Sequence, residues 1–130
     1  LYHISAAKSI TKYKNLKISL KFILEKFREM GVKILMDDFG TGYSSLATLS
    51  MHCFDTLKLD KTLIDHIGDK DGETLLFHVI HMGQQLGLHI TAEGVENQGQ
   101  LKFLQGLKCD DIQGFYFAKP MPGTEYETML

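Results

Sequence analysis

Strand-length apolar runs alternate with helix-length amphipathic stretches along most of this chain, which restricts it to parallel β/α architectures. Leu20, Ile23, Leu24, Phe27 and Met30 fall at helical spacing, and Gly31 supplies a C-terminal stop. Val32–Met36 then reads as a short buried strand, Thr56–Leu59 as a second, Leu88–Ala92 as a third and Asp111–Phe115 as the last. Between them, Leu75, Leu76, Val79, Ile80, Gly83 and Leu86 form an apolar helix face closed by Gly87. Leu101, Leu104 and Leu107 form another, with Asn97 placed as its N-cap. Up to about Leu16 the pattern is faint, with a strand near Tyr2–Ile4 and a polar loop from Lys8 to Asn15. Strand and helix in repeated succession mean parallel strands joined by crossover helices, because an antiparallel pair needs only a turn.

The 130 residues suit one domain, and no Pro/Gly/Ser-rich linker divides them. A formal net charge of −2 gives no basic field for duplex nucleic acid. The longest apolar runs, such as Ile34-Leu35-Met36, are too short for membrane contact of the spanning kind. No signal-peptide pattern opens the chain, and Leu1 in place of methionine leads us to expect a piece of something longer. Cys53 and Cys109 are isolated, as expected of reduced thiols in a cytoplasmic protein.

The informative polar residues are those that interrupt or follow the apolar strands. Asp37 and Asp38 follow one strand and Glu93 another, while Lys58 and Gln113 lie within strands. In a parallel β/α protein the carboxyl ends of the strands share one rim, so these five groups converge there. Carboxylates, an amide and an ammonium form a hard donor set, suited to Mg²⁺ or Mn²⁺ more than to zinc. Two cations about 3.5–4 Å apart are a standard device for in-line phosphodiester hydrolysis. Lys58 would orient the water or neutralise charge on the phosphate. A generic β/α enzyme shares most of this chemistry.

Phe39-Gly40-Thr41-Gly42-Tyr43-Ser44-Ser45 adds a Gly-x-Gly loop leading to a short helix that Ser44 or Ser45 could cap. Asp38-Phe39-Gly40 also occurs in protein kinases, but the accompanying nucleotide-loop and catalytic-loop motifs are absent.

Together these stretches resemble the EAL family of cyclic di-GMP phosphodiesterases. Asp37 to Leu46 looks like its Asp-Asp-Phe-Gly-Thr-Gly motif, and Leu57-Lys58-Leu59-Asp60 like its Lys-x-Asp strand. Ala92-Glu93-Gly94-Val95-Glu96 matches Glu-Gly-Val-Glu, and Gln113-Gly114 through Pro120 resembles the closing Gln-Gly strand with its proline-containing tail. The four motifs stand in family order from about Gly31 to the end.

The resemblance implies a partial (β/α)₈ TIM-type barrel, roughly its last four βα units with parallel strands. Residues 1–130 would be the C-terminal portion of an EAL domain, with 1–16 a lead-in and 17–130 the βα units. It implies hydrolysis of cyclic di-GMP to the linear dinucleotide with two Mg²⁺ or Mn²⁺ ions in the intact domain. By the same resemblance Asp37 would bridge the metals, Asp38 complete the second, and Glu93 ligate metal or act as base. Lys58 would contact the nucleophilic water and Gln113 its shell. Phe39, Gly40, Thr41 and Gly42 would form the substrate loop, with Glu96 and Pro120 supporting the site. The partners implied are cyclic di-GMP and either a second copy or the missing N-terminal half of the barrel. The setting is cytoplasmic, with a membrane tether elsewhere in the parent left open.

The Glu-x-Leu motif that names the family lies before this chain. Its Glu-x-Thr-Glu motif has only His3-Ile4-Ser5-Ala6 or Ser9-Ile10-Thr11-Lys12 as counterparts. In the first register His3 replaces a metal ligand and Ala6 the anchor of the glycine loop. The alternative reading is therefore a degenerate EAL domain, acting as a non-catalytic receptor or interaction module.

Other features have plainer readings. His78 and His81 could pair on zinc, but without nearby carboxylate or thiolate they read as a solvated face. Phe115, Tyr116 and Phe117 could stack on a guanine or pack alternately around the last strand. Lys8, Lys12, Lys14 and Lys17 read as a solvated loop.

Overall fold

The structure is a computed structural model that describes residues 3–5, 14–41 and 46–117, with side chains from residue 20 onward. Ala6, Lys8, Lys12, Gly42, Ser44, Ser45 and Pro120, named above, lie outside the described residues. Chain order is β1 (His3–Ser5), α1 (Lys14–Glu29), β2 (Lys33–Phe39), α2 (Leu46–Leu49), β3 (Thr56–Leu59), α3 (Lys61–Ile64), α4 (Lys70–Gln85), β4 (His89–Ala92), α5 (Gln98–Gly106) and β5 (Asp111–Ile112). The strands form one sheet in the order β1-β2-β3-β4-β5, every pair parallel. Neighbours in sequence are neighbours in space, the connectivity of a run of barrel units.

One face of the sheet carries the core. Ile34, Met36 and Phe39 of β2, Leu57 and Leu59 of β3, and Ile90 and Ala92 of β4 are buried there. They pack with Leu24 of α1, Leu49 of α2, Ile64 of α3, Leu76 and Ile80 of α4 and Leu104 of α5. The alternate residues of the same strands, Leu35, Asp37, Thr56, Lys58 and Thr91, line a cleft of about 540 Å³ on the opposite side. Helices on one face and polar side chains on the other is the layering of a barrel wall.

The apolar face of α1 is narrower than its spacing predicted. Leu24 is buried and Leu20 and Phe27 partly so, but Ile23 and Met30 are exposed. The helix also begins at Lys14, inside the stretch read as a polar loop.

The strand carrying the aspartates extends through Phe39, so Asp37 and Asp38 lie within β2 rather than after it. Met36 pairs with Leu57 and Phe39 with Leu59, so two residues of β2 stand opposite Lys58 alone. This bulge places Asp38 at φ 54°, a left-handed conformation that Asp tolerates better than most residues. Residues three apart in an unbroken strand point to opposite faces; the bulge is what lets Met36 and Phe39 share the core.

The opposite end of the sheet uses one device twice. Asp55, just before β3, accepts the Ile34 N–H at 2.8 Å and donates its own N–H to Ile34 O at 2.7 Å. Asp110, just before β5, does the same with Ile90 at 2.7 and 3.0 Å. Each acid satisfies a backbone group where a ladder begins. Arg28 and Lys33 lie 3.9 and 3.5 Å from Asp55, so that end of the molecule is cross-linked by charge.

Candidate active site

Parallel pairing sets the heights of the cleft residues. Thr56 stands beside His89, Lys58 beside Thr91, and Thr91 beside Asp111. Two residues on, past the end of β4, Glu93 donates its N–H to Leu59 O at 3.1 Å. That bond continues the ladder, so the Glu93 side chain returns to the face that carries Lys58. The Lys58 Nζ lies 2.6 Å from Glu93 Oε1 and 3.6 Å from Asp37 Oδ1. Burial draws the ammonium pKa down, but hydrogen bonding to Glu93 and the charges of Glu93 and Asp37 outweigh it and raise it above the ordinary lysine value.

Asp38 adjoins this group through the backbone. Its N–H donates to Asp37 Oδ1 at 2.8 Å, and its carbonyl accepts both the N–H and the hydroxyl of Thr41. The start of the glycine loop is thus tied to the aspartate doublet. Gly40 has φ 109°, and a Cβ there would come within 2.5 Å of Leu63 Cγ, so this turn needs glycine. Phe39 does not reach the cleft; it is 7% exposed and belongs to the core.

Gln113 lines the cleft next to Asp37 and Lys58 but lies just beyond β5, which ends at Ile112. The predicted run to Phe115 breaks because the chain turns back over the Glu93 loop. Val95 N–H donates to Gln113 O and Tyr116 N–H to Val95 O, both at 3.0 Å. Gly114 packs against that backbone so closely that any Cβ would overlap Val95. Phe115, Tyr116 and Phe117 therefore stand in a turn, all exposed, instead of packing alternately along a strand.

The loop after Glu93 has supports that spacing alone had not singled out. Asn97 caps α5 as expected, and Gln100 completes a capping box with it. Asp60 of the Lys-x-Asp stretch caps α3 by accepting the N–H and hydroxyl of Thr62. Glu96 is exposed and pairs with Lys61 at 3.3 Å. Lower in the cleft, His89 Nε2 lies 2.6 Å from Asp111 Oδ2, a pair the sequence reading did not anticipate. An aspartate before β3 and before β5, and Asn-x-x-Gln before a helix, were the available signals. His3, the residue read as a replaced metal ligand, pairs through its backbone with Lys33 at the start of β2, away from Asp37.

His78 and His81 are exposed on α4 beside Phe77 and form no larger ligand group; among the described residues no three His, Cys, Asp or Glu side chains make a metal-ligand cluster. Asp37 and Glu93 nevertheless turn carboxylate oxygens toward one cationic group, Lys58 Nζ. Oxygen donors gathered around positive charge are of the kind that suits a hard divalent cation.

Residues 4–120 match the family model described as EAL domain. The chain belongs to the EAL family. It is 40% identical over 131 residues to the signaling protein YkoW of Bacillus subtilis, covering 100% of this chain and 16% of that protein. It is 44% identical over 110 residues to the cyclic di-GMP phosphodiesterase NbdA of Pseudomonas aeruginosa, covering 83% of this chain and 14% of that one. Among solved structures, the Pseudomonas MucR phosphodiesterase in complex with c-di-GMP aligns with TM-score 0.76 and 38% identity, over 95% of this chain and 49% of that one. The EAL domain of Mycobacterium smegmatis DcpA aligns with TM-score 0.82 and 30% identity, over 98% and 56%. A manganese/cyclic-di-GMP complex of Klebsiella pneumoniae BlrP1 aligns at 0.75 with 29% identity, over 91% and 29%. The EAL chain thus spans under a fifth of these curated relatives and about half of the MucR and DcpA chains. The partial TIM-type barrel expected from the motifs is the fold found. No helix among the described residues is long and apolar enough to cross a membrane.

Proposed function

We propose that this chain is the C-terminal portion of an EAL domain that hydrolyses cyclic di-GMP to the linear dinucleotide. The observation that carries the proposal is the Asp37–Lys58–Glu93 group on the cleft face of β2 and β3 and just past β4. Asp37, Asp38 and Glu93 would hold Mg²⁺ or Mn²⁺, with further ligands from the rest of the barrel. Bound there, the paired cations would supply Lewis-acid activation of water and of the phosphoryl oxygens.

The residues of this chain set that chemistry up. Lys58 stays an ammonium at neutral pH, held in place by two carboxylates, and can orient a water or meet charge developing on the phosphate. Gln113 offers an amide to the same space and can fix the water shell. Phe39 anchors the substrate loop in the core, Gly40 and Thr41 shape its start, and Gly42 and Pro120 keep the roles the family pattern gives them. Glu96 would steady its loop, as the family pattern implies. The protein would work in the cytoplasm, with β1 and β5 meeting the N-terminal units of the same barrel or a second copy.

The test is incubation of the intact EAL domain with cyclic di-GMP and Mg²⁺ or Mn²⁺, followed by chelation. Linear product that disappears with chelator supports the proposal. A second reading, a receptor that binds without cleaving, is favoured by His3 and Ala6 where the family has acids. Saturable binding with no product under either metal would select it.

A further inference from the structure

We propose that Gln100 is a positioning residue, a strut that sets the Lys58–Glu93 contact from behind the site. This inference rests on the phosphodiesterase reading. Gln100 is 6% exposed, although it is a polar residue on a short surface helix. Its Oε1 accepts the N–H of Glu96 at 2.8 Å and of Asn97 at 3.3 Å. Its Nε2 donates to Ile64 O at 3.4 Å, at the far end of α3. One amide therefore spans two loops, the one after β3 that follows Lys58 and the one after β4 that begins with Glu93.

A capping role accounts for only half of these bonds. In a capping box the side chain at this position needs an acceptor alone, and glutamate fills it as well as glutamine. The donor half of Gln100 is used on Ile64, outside its own helix. The two loops also touch tightly at Gly94, where a Cβ would meet Lys61 Cβ and Cγ at 2.6 Å. The exposed Lys61–Glu96 pair spans the same gap in water, where such pairs contribute little. The buried amide is the rigid link, and a shift of either loop changes the separation of Lys58 from Glu93.

The experiment uses the intact EAL domain with variants Q100E, Q100M and, as a surface control, K61M. Q100E keeps the acceptor and removes the donor, so it separates helix capping from loop coupling. We expect Q100E to melt within a few degrees of wild type while kcat for cyclic di-GMP falls on the order of 10- to 100-fold, with KM changed less than about twofold. Q100M should lose at least as much kcat, and K61M should match wild type. Q100E with wild-type kcat, or a loss carried entirely by KM, would overturn the strut. A crystal structure of Q100E reads the same point without turnover. A Lys58–Glu93 distance beyond hydrogen-bonding range supports the inference, and an unchanged 2.6 Å contact refutes it. A wild-type domain that never cleaves cyclic di-GMP would refute the phosphodiesterase reading instead, leaving the crystal comparison to decide the strut.

Discussion

Lys58 Nζ, from β3, and Glu93 Oε1, one residue past the adjacent parallel strand β4, meet at 2.6 Å on the face of the sheet that no helix among the described residues covers. Lys58→Met keeps the length of the side chain and leaves the Glu93 and Asp37 carboxylates facing each other without their ammonium. We expect cyclic di-GMP turnover of the intact domain to fall by roughly 10²–10³-fold, with the circular dichroism spectrum retained. The folded-state pKa of Lys58 is raised, so its contribution to stability is complete below the unfolded value of about 10.4 and is lost as pH climbs through the folded one. Denaturation midpoints should therefore fall less steeply in alkali for Lys58→Met than for wild type.

Asp38 sits at φ 54°, which separates its backbone role from its carboxylate. Asp38→Gly removes the carboxylate and relieves the left-handed backbone, whereas Asp38→Ala keeps the strain at about 1–2 kcal/mol. Both variants should lose turnover, but only the glycine variant should match or exceed wild-type thermal stability. Retained turnover in Asp38→Gly would remove Asp38 from the metal set.

Asp55 is part of the stabilising end of the sheet, opposite the end that carries Asp37, Lys58 and Glu93. Asp55→Ala leaves the Ile34 N–H without its acceptor and Arg28 and Lys33 without their shared carboxylate. A loss of about 1–3 kcal/mol is expected in urea denaturation. Turnover per folded molecule should not change, since barrel chemistry belongs to the other rim.

Both cysteines should be inert. Burial raises the Cys53 thiol, and burial together with Asp110 pushes Cys109 up to about 11. Iodoacetamide at pH 8 should label neither in the native state and both in guanidinium. Rapid native labelling of Cys109 would show that the β4–β5 region opens.

The grouping of Asp37, Lys58 and Glu93 was more legible in the sequence than the element boundaries. Thr56–Leu59 and the Asn97 cap could be read from apolar runs and a capping residue, because both depend on neighbours in sequence. The extent of β2 could not, because hydropathy ends at Met36 while the ladder with β3 continues through two carboxylates. The last strand was read too long for the opposite reason. Phe115 and Tyr116 look like strand residues, but Gly114 and the Val95 backbone turn the chain away. α3 has only 4 residues, too few for any periodicity, and only its Asp60 cap announces it. Gln100 carried the capping-box signature, yet its bond to Ile64 crosses 36 positions and has no local trace.

The bulge in β2 makes the aspartate doublet a matter of length as well as charge. Shorten it to one acid and ordinary alternation returns: Met36 and Phe39 would stand two apart and still share the helix layer, but the left-handed step whose carbonyl holds Thr41 would be gone. Neutralising an aspartate is an electrical change at one position, whereas deleting one removes the kinked step from which the glycine loop departs. In relatives of this chain, gaps should therefore avoid these two positions even where the acids themselves have been exchanged for other side chains.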